Sequence, residues 1–259
     1  MNDEELLALN RRGFIPGPGE TEEHFVKRVQ LAQDFFCNPL KEFEEMEKVP
    51  VPHWDWVRHH LKELYDFQPD SLVAYYSNRQ LTPWQGAASW VMDVESGPLC
   101  AVQLRRGFLK GSYLGLYSRD EILAHEAVHA ARCAFEEPAF EEFFAYYTSS
   151  AKWRRLLGPI IRKPWEASFF LGVLGLGALF GIFLPAAVLS SFGFLRLGRQ
   201  HTRLWRAVKK MRKEGKSEKT IRFLLFRLTD CEIKRVAQGK EIGDDQSLRS
   251  RLIRLYNHI

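Results

Sequence analysis

The stretch from which the fold is predicted is Glu121-Ile-Leu-Ala-His-Glu-Ala-Val-His-Ala-Ala131. Ser118 and Glu121 have the spacing of a capping box, so we expect a helix to begin there and to continue to about Phe135. A second helix is predicted over Ala139–Ser149, directly after a proline, which favours the first turn of a helix. Two consecutive helices with a short link are therefore the centre of the expected fold.

His125 and His129 lie on one face of the first helix, because residues four apart are neighbours on an α-helix. Two imidazoles placed in this way can bind one metal ion. Glu126 would lie beside the ion, where its carboxylate can act as a general base toward water. The H-E-x-x-H spacing thus predicts a zinc site, and the alternative is a structural helix with two incidental histidines.

A β-rich region precedes these helices. Ser89–Val94 and Leu99–Leu104 are apolar-rich runs, and the residues Glu95-Ser-Gly-Pro98 between them are typical of a hairpin turn. Tyr113–Tyr117 is predicted to be a further strand. Together these patterns predict an α/β fold of the α+β kind, with a small antiparallel sheet beside the H-E-x-x-H helix.

Residues from about 99 to 150 resemble the catalytic core of zincin peptidases, and within them the gluzincin branch. In that branch the third metal ligand is a glutamate in an ExxA pattern on the following helix. Glu142-Phe-Phe-Ala145 matches this pattern, with 12 residues between His129 and Glu142. Glu141 is a rival for the same role, and the choice between the two stays open.

The resemblance implies that His125, His129 and Glu142 hold zinc (Zn2+) and that Glu126 is the catalytic general base. The implied activity is that of a zinc metallopeptidase, which hydrolyses a peptide or protein substrate. In zincins an edge strand beside the active helix pairs with extended substrate, and Tyr113–Tyr117 is the strand that we expect there.

One residue departs from the family's pattern. Many gluzincins have Asp or Asn directly after the alanine, where it can orient a ligand histidine, whereas this chain has Tyr146. We expect either the Tyr146 hydroxyl or a carboxylate elsewhere, such as that of Asp120, to make the hydrogen bond that orients the ligand histidine. Hydrolysis also requires a group that stabilises the oxyanion, and the sequence does not choose among four tyrosines: Tyr113, Tyr117, Tyr146 and Tyr147.

Ser168–Leu195 contains 28 residues without a charge. As one helix it would be longer than a bilayer core of about 30 Å requires. Both flanks are basic, which favours a re-entrant hairpin bent near Pro185 over a single span. We therefore expect membrane association through this segment, with the catalytic region and the tail facing the cytoplasm. A helical hairpin within a soluble protein is the alternative.

The formal net charge of +5 is unevenly distributed. Residues 196–259 contain 18 Lys and Arg against 7 Asp and Glu, whereas the preceding part is acidic. Anionic lipid headgroups would be a suitable partner for this tail. Residues 218–238 loosely resemble a helix-turn-helix, but such patterns are common in helical bundles and nucleic-acid binding is disfavoured.

The composition, with 46% hydrophobic and 13% aromatic residues, excludes a mostly disordered protein. The four cysteines form no CxxC pair, and the acidic first residues are unlike a secretory signal. We therefore expect free thiols in a reducing compartment.

The predicted organisation has four regions: an N-terminal helical region (1–80), a zincin-like catalytic core (81–165), an apolar hairpin or span (166–196) and a basic helical region (197–259). The predicted function is that of a zinc-dependent metallopeptidase at the cytoplasmic face of a membrane. The alternatives are a catalytically inactive zincin-like protein that binds membrane or nucleic acid, and a soluble regulatory protease. Neither the substrate nor the oligomeric state can be predicted.

Overall fold

A computed structural model of the chain describes residues 1–38, 43, 45–82, 85–94, 97–135, 137–162, 164–243 and 246–257. Its helices are α1 (Asp3–Arg11), α2 (Glu22–Cys37), α3 (Asp55–Tyr65), α4 (Arg119–Arg132), α5 (Pro138–Tyr147), α6 (Lys152–Leu157), α7 (Pro164–Phe180), α8 (Leu184–Lys213), α9 (Glu218–Arg227), α10 (Asp230–Ala237) and α11 (Leu248–Asn257). Its strands are β1 (Glu47–Lys48), β2 (Val73–Tyr76), β3 (Ala87–Val94), β4 (Gly97–Leu104), β5 (Ser112–Tyr113) and β6 (Tyr117–Ser118). The mixture of helices and a small sheet is compatible with the predicted α+β class.

The main sheet has the strand order β1-β2-β4-β3. β3 and β4 pair antiparallel, with Ala87 opposite Leu104, as the hairpin prediction requires. The predicted turn residues Glu95 and Ser96 lie outside the described residues. β2 pairs parallel with β4, so the sheet is mixed and not wholly antiparallel as predicted. The reason is that the chain runs back through β3 before β4, which leaves β2 and β4 pointing in the same direction.

The segment from Tyr113 to Tyr117 is not the single strand that was predicted. β5 and β6 are two-residue strands that pair with each other. The chain reverses between them at Leu114 and Gly115, which have positive φ angles of 55° and 65°. The edge strand beside α4 is β3 instead of Tyr113–Tyr117. β3 stands last in the main sheet and contacts α4.

α4 begins where the sequence predicts, but without the predicted capping box. Ser118 occupies the N-cap position and its side chain makes no capping hydrogen bond. The Glu121 carboxylate instead accepts hydrogen bonds from the Ser150 backbone N–H (2.9 Å) and from Arg154 (2.9 Å). Glu121 thus joins α4 to the chain that follows α5.

The C-terminal region packs directly on the two central helices. Arg132, at the end of α4, is fully buried and donates hydrogen bonds to the carbonyl oxygens of Phe226 and Leu228. Asp230 accepts hydrogen bonds from the backbone N–H groups of Ala139 (2.7 Å) and Phe140 (3.1 Å). It therefore caps the first turn of α5 from a distant part of the chain.

One cluster of buried apolar side chains extends from Leu6 in α1 to Tyr256 in α11. Thr229 and Glu232 form a capping box at the start of α10, and Gly239 follows that helix with a φ of 85°. The boundaries of the four predicted regions stay a prediction.

The apolar stretch forms a helical hairpin. α7 ends at Phe180, Gly181 has a φ of 69°, and α8 begins at Leu184. Glu166 and Arg196, one near each open end of the hairpin, form an ion pair of 2.9 Å, so the two helices run antiparallel. The bend lies slightly before the predicted Pro185, which occupies the first turn of α8.

Among the described helices, none combines the length and apolar character needed to cross a membrane. The prediction of a transmembrane helix, and with it the membrane localisation, is therefore wrong. The reason is the break at Gly181: it divides the uncharged stretch, and α8 becomes basic from Arg196 onward. Gly177, in the last turn of α7, allows this turn to pack closely, since a Cβ there would lie 2.7 Å from the Ile182 carbonyl oxygen.

Candidate metal centre

Three predicted ligand residues lie together between α4 and α5. The Nε2 atoms of His125 and His129 are 3.2 Å apart. The Glu142 carboxylate oxygens lie 3.6 Å from Nε2 of His129 and 3.7 Å from Nε2 of His125. Within the described part of the chain, these residues form the group of histidine and acidic side chains that could hold a metal ion.

The distances between these side chains are similar to those between the ligands of a metal ion. Zinc binds imidazole and carboxylate at about 2.0–2.2 Å, and a tetrahedron with such bonds has edges of about 3.3–3.6 Å. The separation of the two Nε2 atoms, 3.2 Å, is close to that range. Each Nε2 atom also has a Glu142 oxygen at a similar separation: Oε1 lies 3.6 Å from His129, and Oε2 lies 3.7 Å from His125. The donor set of two imidazoles and one carboxylate leaves a fourth position, as in catalytic zinc sites.

Helix geometry explains how these residues meet. The small and apolar face of α4, which includes Ala124, Ala127 and Val128, is buried, so the two histidines point toward α5. α5 begins at Pro138 under the cap that Asp230 provides, and this start places Glu142 opposite the histidines.

Glu141 does not join the three ligand atoms. Its Oε1 lies 2.6 Å from Nδ1 of His129, on the other side of the imidazole ring from Glu142. An Nδ1–H that donates to this carboxylate leaves Nε2 with its lone pair for the metal. The orienting group for His129 is thus Glu141, and not Tyr146 or Asp120; Asp120 pairs with Arg119 at 3.0 Å. The pattern that could have revealed this role is the adjacent pair Glu141 and Glu142. Adjacent side chains on a helix point in directions about 100° apart, so the two carboxylates reach different atoms.

His125 has a different environment. Burial and the charge of His129 hold the pKa of His125 well below its ordinary value, against the effect of a hydrogen bond with the Ala145 backbone. His125 is therefore a neutral imidazole near pH 7. The Tyr146 ring meets it edge to face at a centroid distance of 4.7 Å. Tyr146 contacts the histidine through its ring, whereas a hydrogen bond from the hydroxyl was expected.

Glu126 is buried beside the cluster, with 8% of its surface exposed. The Ser89 hydroxyl, on β3, donates a hydrogen bond of 2.7 Å to its Oε2. Burial raises the pKa of Glu126, while the charge of His129 and the Ser89 hydrogen bond act in the opposite direction. The sequence analysis did not identify the role of Ser89. The pattern that could have revealed it is a polar residue in an apolar-rich strand, on the opposite face from its neighbour Trp90.

The cluster retains a proton in the absence of metal. Burial raises the pKa of Glu142 to about 7, although the charge of His129 opposes this. Burial alone would lower the pKa of His129, but its hydrogen bond with Glu141 and the nearby carboxylates outweigh burial and raise the pKa to about 10. A metal ion must therefore displace a proton from this site near neutral pH.

The four tyrosines considered for the oxyanion are in different places. Tyr146 contacts His125, as described above. The other three contact residues outside the cluster: Tyr147 lies near Arg155, Tyr117 near Arg154, and Tyr113 against Phe108. Tyr146 is thus the tyrosine that the fold brings to the metal centre.

Comparisons with family models, with curated proteins and with solved structures find no match to this chain.

Proposed function

We propose that this protein is a zinc-dependent metallopeptidase of the zincin kind. His125, His129 and Glu142 would bind the zinc ion, and Glu126 would be the general base. The observation that carries this proposal is the cluster of three ligand atoms, all within 4.8 Å of one another, beside a buried carboxylate one residue after His125.

Zinc held there would supply a Lewis acid that polarises the peptide carbonyl and lowers the pKa of water. Glu126 accepts the proton from the attacking water and later donates it to the leaving amine. The Ser89 hydrogen bond fixes one carboxylate oxygen of Glu126 and leaves the other available for this proton transfer. Tyr146, next to His125, is the side chain best placed to stabilise the oxyanion.

The substrate surface would be the free edge of β3. This strand stands last in the main sheet, and its Ser89 contacts Glu126. An extended peptide can add to such an edge through backbone hydrogen bonds. A peptide bound there would run near Ser89, whose hydroxyl contacts Glu126, and this contact supports the choice of this edge.

Replacement of the general base tests this function. The purified protein should contain about one zinc ion per chain and cleave members of a mixed peptide library, with products identified by mass spectrometry. Glu126→Gln should retain zinc and lose activity by about 10²–10⁴-fold, because the amide cannot accept the proton. Glu63→Gln, on the exposed side of α3, is the matched control and should keep full activity. Full activity in Glu126→Gln would refute the proposed mechanism.

A further inference from the structure

The helical hairpin of α7 and α8 is almost uncovered. Of the 28 uncharged residues from Ser168 to Leu195, only Gly177 and Ala186 are buried. Fourteen large apolar side chains between Trp165 and Leu195 are each more than a third exposed. A monomeric protein rarely exposes a continuous apolar patch larger than a few hundred Å². The hairpin is therefore a candidate interaction surface.

The exposed apolar area is large enough for a stable protein interface. A large apolar side chain presents about 200 Å² when it is fully exposed, so these 14 side chains together expose roughly 1,500 Å². A standard interface buries about 800 Å² on each partner, which is about half of that area. One side of the hairpin would thus provide the area that a stable dimer needs.

One exposed side of α7 has the residue spacing of a contact between two helices. Its successive positions, which are all exposed and are four, three, four and three residues apart, are Trp165, Phe169, Gly172, Leu176 and Leu179. We call these five residues the α7 stripe. Alternation of three and four is the repeat that places side chains along the seam between packed helices. Because a lipid surface requires no such repeat, the α7 stripe favours a helix as its partner.

Two features of the α7 stripe suit close packing. Gly172, the third of its five positions, has open space around it, so another helix can approach the backbone there, as glycine and alanine both allow. Trp165 and Phe169, at one end of the stripe, border a cavity of about 400 Å³ between α7 and α8. This cavity can accept a bulky apolar side chain from the partner.

A second copy of this chain fits the α7 stripe. A stripe with this repeat packs against another one, and the second copy provides one of equal length. The stripe carries no charge, so two identical stripes can meet without repulsion. Residues 196–259 contain 18 Lys and Arg against 7 Asp and Glu, so an antiparallel arrangement, which keeps the two basic regions apart, is favoured over a parallel one.

We propose that two copies of this chain form a symmetric dimer in which the α7 stripes pack antiparallel and cross near Gly172. The two-fold symmetry then places the aromatic end of each α7 stripe against the leucine end of the other. This inference concerns assembly and does not depend on the proposed peptidase function.

Sedimentation equilibrium of the full chain without detergent tests the dimer. The wild-type protein should have twice the mass of one chain at about 10 µM. Leu176→Glu should raise the dissociation constant by about 100-fold or more, because the symmetric interface would bury two carboxylates without partners. Leu176 is 57% exposed in the single chain, so this variant should fold, and circular dichroism checks that it does.

Val188→Glu is the matched control, since Val188 is 59% exposed and lies on α8. The exposed residues with the same spacing on α8 include a polar one: Leu184, Val188, Ser191 and Leu195. The control should therefore keep the wild-type dissociation constant. The double variant Phe169→Lys/Leu176→Glu should bind about 10-fold or more tightly than Leu176→Glu, because antiparallel pairing places the lysine of each copy near the glutamate of the other.

Four results would overturn the dimer or its geometry. A wild-type protein that is monomeric at about 100 µM, or that forms only larger assemblies, excludes the dimer. An equal effect of Val188→Glu and Leu176→Glu excludes the α7 stripe as the contact. A double variant as weak as Leu176→Glu excludes antiparallel pairing. A monomer that sediments with phosphatidylcholine vesicles, and loses this binding in Leu176→Glu, assigns the stripe to a lipid surface instead.

Discussion

At the scale of single residues, the two adjacent glutamates of α5 have different roles. Glu142 faces both Nε2 atoms of the histidines, whereas Glu141 holds Nδ1 of His129 at 2.6 Å. A carboxylate on Nδ1 fixes the tautomer and increases the electron density at Nε2. The two nitrogens of one imidazole thus distinguish the glutamate that is placed to bind a metal from the one that is placed to orient the histidine.

Substitution of each glutamate separates these roles. Glu142→Gln should abolish stoichiometric zinc binding, because the substitution removes the anionic ligand. Glu141→Gln should keep the zinc stoichiometry and weaken affinity by about 10–100-fold, since it weakens the hydrogen bond to His129. Competition with a chelating dye measures both affinities. If Glu141→Gln lost the metal entirely while Glu142→Gln kept it, the assignment would be reversed.

Zinc affinity should also depend on pH. The pKa of His129 is raised to about 10 in the metal-free site, so its imidazole carries a proton throughout the neutral range. The pKa of Glu142 is raised to about 7, and below that value a second proton must be displaced. The logarithm of the association constant should therefore rise by roughly one unit per pH unit above pH 7 and more steeply below it. An affinity that is constant from about pH 6 to pH 8 would contradict these protonation states.

At the scale of elements, the packing of α5 against the short helix that follows α6 holds Tyr146 at the site. Gly158 begins that short helix, and a Cβ at this position would overlap the Tyr146 ring. The absence of a side chain at residue 158 therefore allows Tyr146 to lie against His125.

Gly158→Ala should displace Tyr146 and destabilise the protein by about 1–3 kcal/mol, the usual cost of overpacking a site. Peptidase activity should fall more than zinc affinity, because the three ligands lie on α4 and α5. Gly172→Ala is the control: it lies in α7 with open space around it, and alanine there should stabilise the helix by about 0.5–1 kcal/mol. Urea unfolding and zinc titration measure both effects. Equal behaviour of the two variants would show that Gly158 has no special role.

Local sequence patterns predicted the two central helices and the β3–β4 hairpin. The structural features that were predicted wrongly, or not at all, depend mostly on contacts between distant parts of the chain. The pairing of His125 and His129 depends on helix geometry, so the residues alone could predict it. That Glu142 joins them was implied by the resemblance to gluzincins. The cap that Asp230 gives to α5 comes from about 90 residues away, and no local pattern reveals it. The strand over Tyr113–Tyr117 was wrongly predicted because Leu114 adopts a positive φ, which is uncommon for a leucine. The capping box at Ser118 failed because Arg154 and Ser150 bind Glu121.

At the scale of the whole molecule, the N-terminal and C-terminal parts of the chain meet at Arg227. This buried arginine donates hydrogen bonds to the Asn10 side chain (2.8 Å), the Tyr65 carbonyl (2.8 Å) and the Tyr256 hydroxyl (2.7 Å). Arg132 and Asp230 link the same C-terminal region to α4 and α5. The basic tail thus has a structural role beside the metal centre, which its charge alone did not predict.

The metal content of the purified protein tests the central claim most directly. The wild-type protein, His129→Ala and Glu63→Gln are expressed with zinc, and gel filtration removes weakly bound metal. Elemental mass spectrometry then measures the zinc content of each. We predict close to one zinc ion per chain in the wild type and in Glu63→Gln, and almost none in His129→Ala. A wild-type protein without zinc after reconstitution, or a zinc content that His129→Ala leaves unchanged, would contradict the metal centre and the function proposed from it.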